Sequence, residues 1–238
     1  MLIKGLQPLT LLDYPGKPSA IIFLFGCNMR CGYCQNPGLV LQSKCEYKTI
    51  SEDEVMGFLD SRVGLLEGVV ITGGEPCLNK DLPRFIRKIK QKGFCVKLDS
   101  NGFNPEMLKL LVSEKLVDYI AMDVKAPLGK YKTATNSNVN TEKILESIEF
   151  IKTSGVEHEF RTTVVPTLLD ESDLVEIGKL VEGAKAYYLQ QFENKTTLDP
   201  AFEKIPPYPR EFFFKMKERL SGYADYIGVR GLTDNNRQ

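Results

Sequence analysis

The sequence predicts an α/β fold made of repeated strand–helix units, and two observations carry that prediction. Short apolar stretches alternate with amphipathic helical patterns almost from end to end, and polar residues follow directly after the apolar stretches. Repeated units of this kind give parallel strands joined by right-handed crossovers, in either an open doubly wound sheet or a barrel. No linker or low-complexity stretch divides the chain, so we expect one domain over residues 1–238.

Seven apolar stretches have the length and composition of buried strands. They are residues 19–25, 68–72, 94–98, 118–122, 159–165, 186–190 and, at the end of the pattern, 225–229. Helical patterns fill the gaps between them. Ser51 and Glu54 predict a capping box, Asp81 predicts a second helix start, and Asn104-Pro105 predicts a third. Apolar residues at helical spacing mark three more helices, around 144–151, 174–181 and 213–220, whereas 129–140 and 193–210 are predicted to be loops.

The charge balance argues against a nucleic-acid or membrane-surface protein, because 31 Lys and Arg residues equal 31 Asp and Glu residues. The apolar run near residues 20–25 is far too short to span a bilayer. The first ten residues lack the apolar core of a signal peptide, so we expect a cytoplasmic location. Cytoplasmic thiols stay reduced, and clustered cysteines there are metal ligands or redox centres rather than disulfides.

Polar residues gather at one end of the predicted strands. The segments that follow the first four strands are 26–37, 72–76, 99–102 and 123–127, and the fifth strand carries Arg161. Because the carboxyl ends of parallel strands share one face, where ligands bind, these segments are expected to converge on one site. The convergence predicts an enzyme.

Three cysteines, Cys27, Cys31 and Cys34, lie within eight residues of one another after the first predicted strand. Three thiolates suit an iron–sulfur cluster with one iron left open for a ligand. Two other interpretations stay open, namely a thioredoxin-like Cys-x-x-Cys pair and a zinc site completed by Cys45 or His158. Cys45 and the two remaining cysteines lack cluster spacing and are expected to be buried or incidental thiols.

The cysteine loop and the "TGGEP" segment at 72–76 together resemble the signature of the radical S-adenosylmethionine (SAM) superfamily. In particular, the spacing Cys-x-x-x-Cys-x-x-Cys with Tyr33 before the last cysteine is similar to its cluster motif. The resemblance implies a partial (β/α)6 barrel of the radical SAM type, one [4Fe–4S] cluster on the three cysteines, and SAM bound at the open iron. Beyond the cluster and SAM it implies no catalytic residue.

Within the superfamily, the chain resembles the activases of glycyl-radical enzymes. The residues that carry this likeness are "LLDYPGK" (11–17), "KLDSNG" (97–102), "YIAMDVKAP" (119–127), "EFRTTVVP" (159–166) and "VRG" (229–231). They are most similar to the longer form of the anaerobic ribonucleoside-triphosphate reductase activating protein. The alternatives are a pyruvate formate-lyase activating enzyme and a radical SAM enzyme acting on a small molecule or RNA, such as a 7-carboxy-7-deazaguanine synthase.

The resemblance also implies a set of cofactor-binding residues, which come from four strand ends and the fifth strand. The set is Tyr33, Cys34, Gln35, Gly73, Gly74, Glu75, Asp99, Ser100, Asp123, Val124, Lys125 and Arg161. Residues 33–35 would border the adenine, the two glycines would receive the methionyl amine, and 123–125 would contact the ribose or carboxylate. Asp99, Ser100 and Asp123 would hold a monovalent cation beside SAM. Gln35 departs from the histidine that commonly follows the third cysteine.

The implied partners are a flavodoxin or ferredoxin that supplies an electron, and a glycyl-radical enzyme as the protein substrate. By the same resemblance, that substrate would be an anaerobic ribonucleoside-triphosphate reductase, and no nucleic acid or membrane takes part. The two predicted loops, 129–140 and 193–210, follow the fourth and sixth strands, so they are expected near the mouth of the barrel. They either hold the partner there or are plain solvated loops.

Replacing any one of Cys27, Cys31 and Cys34 with alanine should abolish the cluster, because a three-ligand site has no spare thiolate. Iron and sulfide content after anaerobic reconstitution measures the effect. The Cys45→Ala variant is the matched control and should keep the full content of the natural sequence. About four irons retained in any of the three loop variants would contradict the assignment.

Overall fold

A single mixed sheet forms the centre of the protein, in a computed structural model that describes residues 1–232. Its eight strands are β1 (Ile3–Thr10), β2 (Ser19–Leu24), β3 (Gly68–Gly73), β4 (Cys95–Ser100), β5 (Tyr119–Asp123), β6 (Glu157–Val164), β7 (Ala184–Gln191) and β8 (Ala224–Arg230). They lie side by side in chain order. Strand β1 is antiparallel to β2, and all the later neighbours are parallel.

Helices connect the parallel strands. They are α1 (Pro37–Val40), α2 (Glu52–Asp60), α3 (Leu82–Gln91), α4 (Pro105–Ser113), α5 (Tyr131–Thr135), α6 (Thr141–Thr153), α7 (Glu171–Leu180) and α8 (Arg210–Arg219). Short 3₁₀ turns add Gln42–Lys44, Pro76–Leu78, Leu128–Lys130 and Pro200–Lys204. Six strand–helix units followed by β8 make the partial (β/α)6 barrel that the sequence resemblance implied. No helix among residues 1–232 is long and apolar enough to cross a lipid bilayer.

The main core lies between the sheet and the helices. Outward-facing strand residues such as Leu98, Ile120 and Phe160 are fully buried there, together with the apolar helix faces. The Ser51 hydroxyl accepts a hydrogen bond from the Glu54 backbone N–H, and the Glu54 carboxylate accepts one from the Ser51 N–H, as the capping box predicted. These caps fix the helix ends and so the loops that lead back to the sheet.

The structure differs from the sequence-based predictions in three local features. Strand β1 was missed, since its sequence IKGLQPLT holds a glycine and a proline and lacks clear alternation. The helix start at Asp81 is confirmed, but the Asp81 side chain makes no capping hydrogen bond. The two predicted loops are partly helical, because they contain α5 and the turn Pro200–Lys204.

The floor of the barrel is closed by Tyr14 from the turn between β1 and β2. Its ring packs with Ile21 and Val70 on the inner face of the sheet, and its centroid lies 5.9 Å from that of Tyr119. A Cβ at Gly68 would lie 2.8 Å from the same ring, so only glycine leaves room for it. The ring therefore fills the amino-terminal end of the lumen, opposite the polar strand ends.

Changing Tyr14 to alanine should lower the free energy of unfolding by about 3 kcal/mol, because it empties the barrel floor. Urea unfolding followed by circular dichroism measures the loss. Tyr14→Phe is the control and should cost less than about 1 kcal/mol, since it keeps the ring that makes the contacts. Equal losses in the two variants would show that the ring does not fill the floor.

Candidate active site

The cysteine loop after β2 opens onto a cavity at the carboxyl ends of the strands. The thiol-bearing residues Cys27, Cys31 and Cys34 all line it. Further lining comes from the ends of β3, β4, β5 and β6, in the form of Gly73, Gly74, Glu75, Asp99, Ser100, Asn101, Asp123, Lys125, Arg161 and Thr163. The predicted convergence of the strand ends is therefore what the structure shows.

The cysteine loop is fastened to the rest of the barrel by backbone hydrogen bonds from separate segments. The Arg30 N–H donates to the carbonyl of Thr135 in α5, at 2.9 Å. The N–H groups of Leu198 and Asp199 donate to the carbonyls of Cys34 and Gly32, also at 2.9 Å. The segments 129–140 and 193–210, which the sequence left as loops, thus brace the cysteine loop.

The two glycines of "TGGEP" are required by packing within the chain. Gly73 has a φ of +131°, and a Cβ there would lie 2.1 Å from the Leu24 carbonyl oxygen. A Cβ on Gly74 would lie 2.1 Å from the Gly26 carbonyl oxygen. Any larger residue at 74 would therefore push the cysteine loop away. Close approach of a ligand is not needed to explain either glycine.

Glu75 joins its own loop to the end of β4 through its buried carboxylate. Oε1 accepts hydrogen bonds from the Cys77 N–H and the Ser100 hydroxyl, and Oε2 accepts one from the Asn101 N–H at 2.6 Å. Burial raises the pKa of Glu75 above its usual range, although these hydrogen bonds work against the rise. With its carboxylate occupied in this way, Glu75 positions the β4 loop beside the cavity.

An ion-pair network joins the ends of β4, β5 and β6 inside the cavity. The Arg161 guanidinium contacts the Asp123 carboxylate at 2.8 Å and the Asp99 carboxylate at 3.2 Å. The Lys125 ammonium contacts the other Asp123 oxygen at 2.9 Å, and Lys97 pairs with Asp99. Burial alone would raise the pKa of Asp123, but Arg161 and Lys125 hold it well below its usual range. The pKa of Asp99 is lowered in the same way by Arg161 and Lys97.

A second ion pair lies deeper in the lumen and was not predicted. The Glu159 carboxylate is fully buried and receives both terminal nitrogens of Arg230, at 2.7 and 2.8 Å. The Tyr119 hydroxyl donates to the same carboxylate, and the Arg230 guanidinium lies 3.5 Å from the centre of the Tyr188 ring. This ion pair links β8 to β6 across β7. It depends on the register of these strands in the sheet, which the sequence does not reveal.

Every predicted site residue except Val124 lines the cavity. The Val124 side chain is fully buried, and it does not line the cavity. Strand alternation turns it away from the lumen, between Asp123 and Lys125. Cavity-lining residues that the predicted set omitted include Met29, Asn101, Thr163 and Gln190. Asn101 could have been predicted, because it lies in "DSNG" next to the predicted residue Ser100.

The residues present fit a sulfur-rich cluster. Burial raises the pKa of Cys27 to about 12 and that of Cys31 as well, so both thiols are protonated at neutral pH until a metal displaces the protons. The Tyr33 hydroxyl is buried without a nitrogen or oxygen partner among the described residues, beside the Cys31 thiol. The Lys125 ammonium adds positive charge near Cys31 and Cys34, where thiolates would sit.

Neither of the two candidates for a fourth zinc ligand, His158 and Cys45, lines the cavity with the three cysteines. The ring of His158 packs at the amino-terminal end of β6, where Nδ1 lies 2.9 Å from the Val156 carbonyl oxygen. Cys45 does not line the cavity. Among residues 1–232, no three His, Cys, Asp or Glu side chains are close enough to hold a single metal ion. Asp99 and Asp123 already face cationic side chains, so the arrangement gives no support to a monovalent cation there.

Residues 21–181 match the family model of the radical SAM superfamily, and the chain belongs to that superfamily. It is therefore an enzyme that uses a [4Fe–4S] cluster and SAM. The solved structure of SuiB from Streptococcus suis bound to SAM superposes with a TM-score of 0.67 at 13% identity, over 89% of this chain and 49% of SuiB. That likeness supports the partial barrel.

Three curated relatives bear on the reaction. A Methanocaldococcus jannaschii protein, provisionally named a glycyl-radical enzyme activating enzyme, is 38% identical over 97% of this chain and 96% of its own length. A 7-carboxy-7-deazaguanine synthase of Archaeoglobus fulgidus is 28% identical over 91% and 92%. A pyruvate formate-lyase-activating enzyme of Listeria monocytogenes is 26% identical over 91% and 85%.

Removing the Arg161 charge with Arg161→Met should lower the free energy of unfolding by about 3 kcal/mol at pH 7, because two buried carboxylates lose their shared partner. Urea unfolding of the metal-free protein measures the loss. Arg219→Met is the control: this exposed arginine pairs with Glu171, and its loss should cost less than about 1 kcal/mol.

The Arg161 effect should also depend on pH. A carboxylate whose folded pKa is depressed stabilises the fold above its unfolded pKa, about 4, and loses that contribution as the pH falls through the folded pKa. The natural protein should therefore lose stability below about pH 4, and Arg161→Met should lose less over the same interval. Parallel stability curves for the two proteins would contradict the ion-pair account.

Proposed function

We propose that the protein is an activase that installs a glycyl radical on a partner enzyme, and that the partner is an anaerobic ribonucleoside-triphosphate reductase. The observation that carries the proposal is the 38% identity, over nearly the whole length of both chains, to the Methanocaldococcus jannaschii protein. The lower identity to a pyruvate formate-lyase-activating enzyme supports the same type of reaction. The choice of reductase rests on the resemblance of motifs such as "LLDYPGK" and "VRG".

The cavity supplies what such a reaction requires from the protein. When bound, the cluster would supply the electron for the cleavage of SAM to methionine and a 5′-deoxyadenosyl radical, and that radical would take the α-hydrogen of the target glycine. Cys27, Cys31 and Cys34 would hold the cluster. Lys125 and Arg161 would face the carboxylate and ribose of SAM, with Asp123 keeping both cations in place.

The open side of the barrel supports a polypeptide as the substrate. Strands β1 and β8 are the two end strands of the sheet in the described part of the chain, and they do not pair with each other. The concave face can therefore be reached from the side. Glycine is a suitable target because a residue without a Cβ allows the closest approach to its α-carbon.

The electron would come from a flavodoxin or ferredoxin, since no described side chain is a one-electron donor of sufficient strength. The protein's own part is to keep water from the reacting groups. Met29 and Tyr33 are buried at the cavity wall, and Phe202 covers Gly32 from outside. Such shielding strengthens the electrostatic contacts within the cavity.

The test mixes the reconstituted, reduced protein with SAM and the anaerobic ribonucleotide reductase of the same organism. Electron paramagnetic resonance should show a doublet from the single α-hydrogen that remains on the radical carbon. Deuterating the α-position of glycine in the partner should collapse the doublet. A reaction mixture with the Cys34→Ala variant is the control and should give no radical.

A different result would assign a different substrate. SAM cleavage without a protein radical, but accelerated by a small metabolite, would overturn the activase proposal. It would favour the reaction class of the 7-carboxy-7-deazaguanine synthases, to which the chain is 28% identical.

A further inference from the structure

A surface recess lies on the outer side of the cysteine loop, behind the cavity. We call it the outer recess, and its lining includes Arg30, Gly32, Ala134, Leu198, Asp199 and Phe202. The loop between the cavity and the recess alternates: residues 29, 31 and 33 line the cavity, whereas residues 30 and 32 line the recess. Only the backbone of this loop therefore separates the cavity lining at Cys31 from the recess lining at Arg30 and Gly32.

The outer recess is bordered by cations without carboxylate partners. The Arg30 guanidinium donates to the carbonyls of Cys27 and Met29, and it forms no ion pair with a carboxylate within residues 1–232. The Lys44 ammonium donates to the carbonyl of Leu198, at 2.6 Å, and is likewise without a carboxylate in the described part of the chain. Lys132, next to the lining residue Thr133, is exposed and forms no ion pair with another described residue.

This pattern differs from that of the helices on the far side of the barrel. There, surface cations are mostly paired, as in Arg84 with Glu52 and Lys109 with Glu146. The acidic group of the recess, Asp199, has its carboxylate engaged by the Ala201 N–H at the start of a 3₁₀ turn. Glu203, which is exposed next to Phe202 and accepts from the Thr197 N–H, adds a second carboxylate. Three cations, Arg30, Lys44 and Lys132, therefore face two carboxylates, which leaves a net charge of +1 around an apolar floor that includes Phe202.

We propose that the outer recess is the docking site of the electron donor, an acidic one-electron carrier protein. This inference rests on one part of the proposed function, namely that the cleavage of SAM requires an electron from outside the protein. In the step concerned, the carrier is oxidised by one electron and the cluster is reduced by one, with no bond made or broken. The electron would enter through the backbone of residues 30–32, which lies between the recess and Cys31.

Three physical arguments select this occupant. Electron transfer slows steeply with distance, and a partner in the outer recess would have only the backbone of residues 30–32 between its surface and Cys31. Interfaces between redox proteins are small and transient, which suits a recess formed by a few residues around one loop. Unpaired cations around an apolar centre attract an acidic surface and speed the encounter at low ionic strength.

The test compares two reductants on one set of variants. Lys44→Glu and Lys132→Glu are combined in one protein, and Lys132→Glu is also made alone, because it has no described hydrogen bond to lose. Lys179→Glu, on the exposed face of α7 in its last turn, is the matched control. Formation of 5′-deoxyadenosine from SAM is measured with a reduced acidic ferredoxin and, separately, with dithionite.

With ferredoxin at low ionic strength, the double variant should react about tenfold more slowly than the natural protein. The single Lys132→Glu variant should show a smaller loss in the same direction, and both losses should shrink as salt is added. With dithionite, which needs no docking surface, the rates should be unchanged. Lys179→Glu should match the natural protein with both reductants.

A binding measurement separates docking from turnover. Carbodiimide cross-linking of the oxidised ferredoxin to the reconstituted protein, followed by mass spectrometry, should join carrier carboxylates to Lys44 or Lys132. Cross-links at Lys179 instead, or equal ferredoxin rates in all variants, would overturn the docking site and leave the proposed function intact. Loss of SAM cleavage with dithionite in the natural protein would instead contradict the proposed function.

Discussion

The hydrogen bond from the Glu75 N–H to the Gly26 carbonyl, 2.7 Å long, joins the cysteine loop to the end of the next strand, and the site depends on it. A Cβ on Gly74 would strike the same carbonyl oxygen, so the contact exists only because residue 74 is glycine. Through its carboxylate, Glu75 then fixes Ser100 and Asn101 at the end of a third strand. One short segment thus sets the positions of the thiols relative to the polar groups that face them.

Charge inside the barrel is arranged around the same site. Arg161 spans Asp99 and Asp123, and Lys125 pairs with Asp123 near the thiols of Cys31 and Cys34. These groups are buried, so their mutual attraction must offset a large loss of hydration, and removal of one partner is more costly than at the surface. In the proposed function, the arrangement would hold these cations in place for the SAM carboxylate and an anionic cluster before either binds.

The sequence predicted the parts of the structure that are encoded locally. Seven parallel strands, the capping box at Ser51 and the polar strand ends follow from patterns within a few residues, and the radical SAM resemblance follows from two short motifs. The Val124 side chain lies outside the cavity, as the alternation between Asp123 and Lys125 indicates, so its role in binding a cofactor stays a prediction. The pairing of Glu159 with Arg230 and the bracing of Cys34 by Leu198 link positions far apart in the chain, and depend on strand register and loop path. No periodicity within one element reports such contacts.

SAM in the cavity should bind the iron that the three cysteines leave open. Electron–nuclear double resonance of the reduced, reconstituted protein measures this contact, with SAM labelled with ¹⁵N in its amino group or ¹⁷O in its carboxylate. Both labels should show hyperfine coupling to the cluster. Bound SAM without coupling from either label would lie away from the cluster, which would contradict iron ligation by SAM.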